Sequence, residues 1–355
     1  MKNPTLSDVA HSAGVSYATA DRVINKRGNV AEKSTRKVRD AMVALGYVRN
    51  VAAANLSRKR IYRLAFLLPN GPNAFYDRIR SHLHGLSAHL AKDQISATAI
   101  GVDAFAVGGL KSCLSAIADQ GFDGVAVVGL QSTELEAPIE RLVEQGVHII
   151  GLVSDLPKHL RSAYIGIDNV AAGRTAARLV GVSHGGQSGR IHILAGSTEA
   201  HDHADRLAGF YEVIRRDFPN LAVNDPVMTC DDPTVVKAEV EQVVDGSCGI
   251  TALYNIGAGN GGLIDAMAQL NEAHRPFCVT HELMPDTCHA LQHGHIDLVI
   301  DQGPDVEVNR ALSVLKALID GRSPLPAPDL VPTIYVRDNL PADPTLAMMK
   351  DTSHD

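Results

Sequence analysis

Between Arg63 and Asp301 seven short apolar runs recur, each almost unbroken: R-L-A-F-L-L-P at 63–69, G-V-A-V-V-G at 124–129, H-I-I-G-L-V at 148–153, A-Y-I-G-I-D at 163–168, R-I-H-I-L-A-G at 190–196, G-I-T-A-L-Y at 249–254 and I-D-L-V-I-D at 296–301. A strand with one face in water alternates apolar and polar residues, so continuous runs of this kind need cover on both faces. The helical stretches between them provide it. This is the order of an α/β chain built on parallel sheets, and it continues past the size of one mononucleotide-type unit, so two similar lobes are expected. No stretch approaches the roughly 20 apolar residues that would cross a bilayer.

The first sixty-three residues carry the opposite charge to the rest. They hold 13 Lys and Arg against 4 Asp and Glu, a balance of +9, while residues 64–355 hold 20 against 36, a balance of −16. A small basic head on a larger acidic body points to a polyanion partner for the head and a separate task for the body. The opening residues contain no apolar segment of the kind a signal peptide needs, so a cytoplasmic protein is expected. Cys113, Cys230, Cys248, Cys278 and Cys288 are odd in number, scattered and never in C-x-x-C spacing. Buried free thiols are expected in place of a disulfide framework or zinc knuckle.

Within the head, Thr5 followed by Asp8 reads as an N-cap pair, and Leu6, Val9, Ala10 and Ala13 recur at helical spacing until Gly14 stops them. Ser16 can cap a second helix, with Ala20, Val23 and Ile24 on one face and Tyr17, Ala18, Asp21 and Arg22 on another. Two short helices joined by Gly14 and Val15 make a helix-turn-helix or a plain αα-hairpin. A third helix is expected from about Glu32 to Leu45, with Val38, Met42 and Leu45 inward and Arg36, Lys37 and Arg39 outside, where cations suit phosphates.

T-L-S-D-V-A-H-S-A-G-V-S-Y-A-T-A-D-R-V-I-N at 5–25, followed by V-R-D-A-M-V-A-L-G-Y at 38–47, resembles the DNA-binding head of the LacI/GalR family of transcription regulators, and the likeness extends to Arg60. The resemblance implies that Tyr17, Ala18 and Arg22 read base edges, where an arginine can fork onto guanine. Asn25 falls where the family contacts the backbone beside the recognition helix, and Thr5, Ser16 and Asn50 complete the expected contacts. Asp21 replaces the family's usual Ser, and Arg49 its usual Pro. A carboxylate at 21 either accepts from a cytosine amino group or orients Arg22; both readings stand.

N-V-A-A-A-N-L-S at 50–57 reads as an Ala-rich linker. The resemblance implies a hinge helix over 50–60 that folds when two copies meet on an operator, with Leu56 wedged between base steps and Ala53 permitting the close approach. Eight residues are too few for a stable isolated helix, so its folding couples to DNA.

Over the body the resemblance implies a two-lobed, type I periplasmic-binding-protein-like fold of parallel sheets flanked by helices, carrying the all-α helix-turn-helix head over residues 1–49. Lobe one is expected over 61–161 with 291–321, lobe two over 162–290 with 322–340, and a flexible tail over 341–355. Ligands of such sheets sit beyond the carboxyl ends of the strands. Polar and aromatic residues at those ends are Asn73, Phe75, Tyr76, Asp155, Arg206, Asn255, Glu282 and Gln302, matching positions where sugar-binding relatives place ligand contacts. N-A-F-Y at 73–76 resembles their N-P-F-F, and R-L-A-G-F at 206–210 their R-x-x-G-F. Aromatic faces suit sugar C–H groups, while carboxylate, guanidinium and amide groups fork its hydroxyls. Glu282 stands where Asp is usual, which changes its reach.

Two motifs point elsewhere. G-A-G-N-G-G at 257–262 satisfies G-x-G-x-x-G after an apolar run, with Glu282 twenty residues after Gly262, and taken locally it is a dinucleotide fingerprint. It lies deep in the chain, however, and a dehydrogenase leaves the basic head unexplained. His201, Asp202, His203 and Asp205 form one dense cluster, and His281, His289, His293 and His295 another. No cysteine joins either, and His201 and His281 are read as further ligand contacts.

The expectation is a homodimeric or tetrameric, sequence-specific regulator, a repressor, that binds double-stranded operator DNA. A sugar, polyol or sugar acid in the body's cleft sets its affinity. No cofactor, metal, membrane contact or catalytic residue is expected. The alternatives are a nucleobase-responsive, co-repressed regulator of the same family, a periplasmic sugar receptor and an NAD-dependent dehydrogenase.

Overall fold

The computed structural model describes residues 4–24, 28, 30–47, 60–71, 73–103, 105–244, 249–324 and 328–341. The chain divides into two compact units, Met1–Arg60 and Ile61–Asp355. Asn25, Asn50, Ala53 and Leu56 lie outside the described residues, as do most of the expected hinge over 50–60 and the tail beyond residue 341.

The head holds α1 (Leu6–Ala13), α2 (Tyr17–Ile24) and α3 (Glu32–Leu45). Thr5 and Asp8 close a reciprocal capping box on α1: the Thr5 N–H donates to Asp8 Oδ2 at 2.7 Å and the Asp8 N–H to Thr5 Oγ1 at 3.3 Å. Gly14 ends the helix in the left-handed region at φ 61°, where a side chain is disfavoured. Ser16 Oγ then accepts from the Thr19 N–H at 3.1 Å and starts α2. Val9, Ala10, Ala13, Ala20, Val38 and Ala41 form the core, with Leu6, Val23, Ile24 and Met42 packed around it. Leu45, expected inside, is 38 % exposed. Ala41 takes the inward position, one turn earlier on the same face as Val38.

The body holds two sheets. The first runs β2-β1-β3-β4-β5, all parallel, from β1 (Tyr62–Pro69), β2 (Ile95–Val102), β3 (Gly124–Val127), β4 (His148–Leu152) and β5 (Ala163–Ile165). Alternate residues of β1 enter opposite cores: Leu64, Phe66 and Leu68 join one, Ala65 and Leu67 the other. That is why its sequence is apolar without a break, and full burial of each such large side chain is worth roughly 1.5–3 kcal/mol. The helices α4 (Ala74–Lys92), α5 (Val107–Ile117) and α6 (Glu136–Glu144) connect these strands.

The second sheet runs β12-β11-β10-β9-β6-β7, with β8 beside β6. Its strands are β6 (Gly189–Ala195), β7 (Leu221–Val223), β8 (Val227–Met228), β9 (Ala252–Asn255), β10 (Phe277–His281), β11 (Leu298–Asp301) and the antiparallel β12 (Thr333–Tyr335). Its helices are α7 (Asn169–Ser183), α8 (His201–Asp217), α9 (Pro233–Val243), α10 (Asn260–Ala268) and α11 (Pro285–Gln292).

The expected lobe boundaries shift in two places. The first strand beyond residue 162, β5 (Ala163–Ile165), pairs with β4 and so stays in the first sheet. Leu298–Asp301, expected in lobe one, pairs with β10 and β12 in the second. The chain returns to the first sheet only with α12 (Pro304–Ile319), whose Val308, Ala311, Leu312 and Leu315 pack beside Phe66 and Ile150. Among the described residues no helix is long and apolar enough to cross a membrane.

Candidate functional site

On the head, Tyr17 is 58 % exposed and Ala18 and Arg22 are also exposed, while Asp21 is half-buried. Ala18 and Arg22 lie on the side of α2 away from the buried Ala20, and Arg36, Lys37 and Arg39 are exposed on α3. The head thus presents one aromatic ring and several cations to solvent, a surface able to meet phosphates and base edges.

On the body, the carboxyl ends of both sheets line one cavity of about 410 Å³, within the range of small-molecule sites. Of the residues singled out in the sequence, Asn73, Phe75, Tyr76, Arg206, His281, Glu282 and Gln302 line it. Asn73 Oδ1 caps α4 by accepting from the Phe75 N–H at 3.1 Å, and the rings of Phe75 and Tyr76 meet edge to face at 5.1 Å. The Tyr76 hydroxyl is held far above its ordinary titration by burial and by the nearby charges of Asp202, Asp231 and Glu282.

Arg206 is 2 % exposed. Its Nε donates to Asn169 Oδ1 at 2.8 Å and its Nη1 to the Ile256 carbonyl at 2.9 Å, leaving Nη2 with no partner in the protein. Burial opposes its charge, but Asp202 and Glu282 more than restore it. Burial likewise opposes ionisation of Asp202, and His203 and Arg206 outweigh that effect, so its carboxyl is held below the usual range. Glu282 behaves in the opposite way: burial and neighbouring Asp301 push it up to about 8, against the pull of Arg206 and a 2.6 Å hydrogen bond donated by Gln302 Nε2. His281, beside Tyr254 Oη at 2.9 Å, is held well below its ordinary value by burial and then by Arg206 and His203.

Six described non-glycine residues have left-handed backbone: Gln94, Phe105, Val153, Cys230, Asp231 and Glu282. All but Gln94 line this cavity. Such conformations cost on the order of 1–3 kcal/mol each and persist only where surrounding bonds enforce them. Here they do: the N–H groups of Val153, Cys230 and Glu282 donate to the carbonyls of Ile165, Gly196 and Ile300 at 2.9, 3.0 and 3.1 Å.

Three expected ligand contacts are placed elsewhere. Asp155 is held by Arg161 Nη2 at 2.6 Å and by its neighbour Leu156 N–H at 2.8 Å, and does not line the cavity. His201 pairs with Asp205 at 3.5 Å on the other face of α8. Asn255 is fully buried behind the wall, where its Nδ2 donates to the Ala258 carbonyl and Asn260 Oδ1, both at 2.9 Å. In their place the cavity takes Asp202, His203, Asp231 and Asn260. The helical register of α8 could have revealed Asp202, four residues before Arg206 on one face. Asp231 follows a two-residue strand that carries no pattern.

Of the glycines at 257–262, Gly257, Gly259 and Gly262 permit close packing, while Gly261 borders open space. A side chain at Gly257 would overlap Asp231 and His203, and one at Gly262 would overlap the Pro233 carbonyl at the start of α9. Cys230, expected buried, is exposed and lines the cavity; Cys278 and Cys288 are buried free thiols. The rings of His289 and His293 stack at 4.0 Å, and no group of three or more potential metal ligands gathers among the described residues.

Residues 64–323 match the periplasmic binding protein domain family, and residues 5–50 match the bacterial regulatory proteins of the lacI family. The HTH-type transcriptional regulator DegA of Bacillus subtilis is 26% identical over 212 residues, 59% of this chain and 60% of that protein. Catabolite control protein A of Streptococcus mutans is 27% identical over 214 residues, 60% and 61% of the two chains. The chain therefore spans about three-fifths of the length of these relatives. Among solved structures, an ABC transporter solute binding protein from Burkholderia graminis in complex with D-arabinose superposes with a TM-score of 0.71 at 22% identity, covering 80% of this chain and 98% of that one. GanP, a glucose-galactose binding protein from Geobacillus stearothermophilus, gives 0.69 at 17% identity, covering 79% and 99%. A head matched in sequence and capped as its residues predict precedes a body matched over most of its length, and so the chain belongs to the periplasmic binding protein domain family, with a head over residues 5–50 that matches the bacterial regulatory proteins of the lacI family.

Proposed function

We propose that the protein is a cytoplasmic, sequence-specific regulator of transcription, a repressor, whose operator affinity is set by a small polar effector in the body's cavity. The observation that carries this is the pairing in one chain of an exposed, cation-bearing α2 with a buried polar cavity whose arginine keeps an unused donor. The head reads DNA through Tyr17, Ala18 and Arg22. Two copies bind as a homodimer. The effector prefers one lobe arrangement, so ligand and DNA bias each other by the same factor.

Selection of random duplexes by the intact chain tests the reading. A near-palindromic motif with half-sites about one helical turn apart is expected. Selected duplexes without a shared motif would contradict it.

A further inference from the structure

The cavity wall is acidic. Among the described residues lining it, Asp103, Asp202, Asp231, Asp232, Glu282 and Asp286 are carboxylic, and Arg206 is the sole Lys or Arg. Arg206 already commits two of its three guanidinium nitrogens to Asn169 and Ile256 and lies in the field of Asp202, so it offers one free nitrogen, Nη2, among six carboxylic groups.

The unmatched hydrogen-bonding capacity suits hydroxyl groups. Among the buried lining atoms with no protein partner, Asp202 Oδ1 and Gln302 Oε1 accept, Arg206 Nη2 donates, and Ser154 Oγ, the Glu282 carboxyl at Oε2 and the ring nitrogen His281 Nδ1 can do either. Hydroxyl groups satisfy such a set because each donates as well as accepts; a carboxylate or phosphate brings only further acceptors.

Asp231 is held in place. Its Oδ1 accepts from the Ala258 N–H at 2.9 Å, its backbone is left-handed at φ 59°, and its carboxylate packs against Gly196 and Gly257, where a side chain at either position would overlap it.

We propose that the cavity selects uncharged, hydroxyl-rich ligands, sugars or polyols, and excludes carboxylated or phosphorylated compounds of the same carbon skeleton, with Asp202 and Asp231 as the excluding groups. The proposal rests on the reading of this cavity as the effector site and narrows it: sugar acids leave the candidate set. Placing like charges together in a water-poor site is costly enough to weaken an acidic ligand on the order of 100-fold relative to its neutral counterpart.

The test is a thermal-shift and calorimetric comparison of matched pairs on the intact protein at neutral pH: glucose with gluconate, galactose with galacturonate, ribose with ribose 5-phosphate, and myo-inositol with its monophosphate. A neutral member should bind while its acidic partner binds on the order of 100-fold more weakly, and Asp231→Asn or Asp202→Asn should narrow that gap by about tenfold or more. An acidic member binding as tightly as its neutral partner overturns the inference and leaves the effector site standing. If no compound of either series binds, the effector-site reading beneath it fails. An unchanged gap in both folded variants overturns the assignment to these two carboxylates.

Discussion

The backbone carbonyl of Arg206 occupies the space where a side chain at Gly173 would stand. Gly209, one turn further along α8, meets the Val170 carbonyl in the same manner. The two glycines let α7 and α8 pack backbone to backbone. That approach brings Arg206 Nε within 2.8 Å of Asn169 Oδ1 at the start of α7, so the position of the cavity's arginine depends on residues that never touch the cavity.

Gly173→Ala is therefore expected to destabilise the body by about 1–3 kcal/mol, as overpacking of a tight contact does, and to weaken ligand binding in the protein that remains folded. Thermal melting and calorimetry check both effects. Unchanged melting and affinity would show that the helices separate without moving Arg206.

Arg206→Ala should abolish the ligand-induced rise in melting temperature while leaving operator binding in the absence of ligand nearly unchanged. Anisotropy with a selected duplex supplies the second measurement. Loss of DNA binding with retained ligand binding would mean that the cavity is not the effector site.

Arg22→Ala should lose about 1–3 kcal/mol of discrimination between operator and random duplex, while the salt-dependent background persists because Arg36, Lys37 and Arg39 remain. Competition titrations at two salt concentrations check this. Retained discrimination would remove Arg22 from base reading.

Glu307 gives a pH prediction. It is 0 % exposed, neither carboxylate oxygen has a partner, and burial, then Glu282, pushes it well above the ordinary carboxylate range. The unfolded chain releases this proton near the ordinary value, about 4.5, while the folded chain keeps it, so stability is full below that pH and falls as pH rises. The loss is at most about 1.4 kcal/mol per pH unit for each such group. Glu282, raised to about 8, adds to the decline up to that pH. His281 acts in the other direction, because a histidine held neutral in the fold costs stability as pH falls below about 6.5. Glu307→Gln should therefore melt above the parent at about pH 8 and lose that advantage towards pH 5. An advantage independent of pH would show that Glu307 is not protonated in the fold.

Much of this molecule is legible in its sequence because burial leaves a pattern. The strand β1 is apolar at every central position since both its faces are covered, and the caps at Thr5 and Ser16 satisfy backbone donors that only such side chains reach. Where burial is partial the pattern fades. The strand β2 lies at the sheet edge with Ser96, Thr98 and Ala99 outside its core, and it passes unnoticed among helices. The cavity was half legible for a related reason. Strand ends marked Tyr76, Glu282 and Gln302, but choosing within His201–Arg206 required the phase of α8, which puts Asp202 and Arg206 inward and pairs His201 with Asp205 outside. Asp231 depends on a left-handed turn packed under two glycines distant in sequence, and no local signal announces it.

The central claim is that cavity and head are thermodynamically linked. The direct measurement is the affinity of the intact protein for its selected duplex with and without a saturating neutral ligand from the matched series, together with the affinity for that ligand with and without the duplex. The account predicts that ligand changes duplex affinity, typically by about 5–150-fold, and that duplex changes ligand affinity by the same factor. Identical duplex affinity at zero and saturating ligand would contradict it.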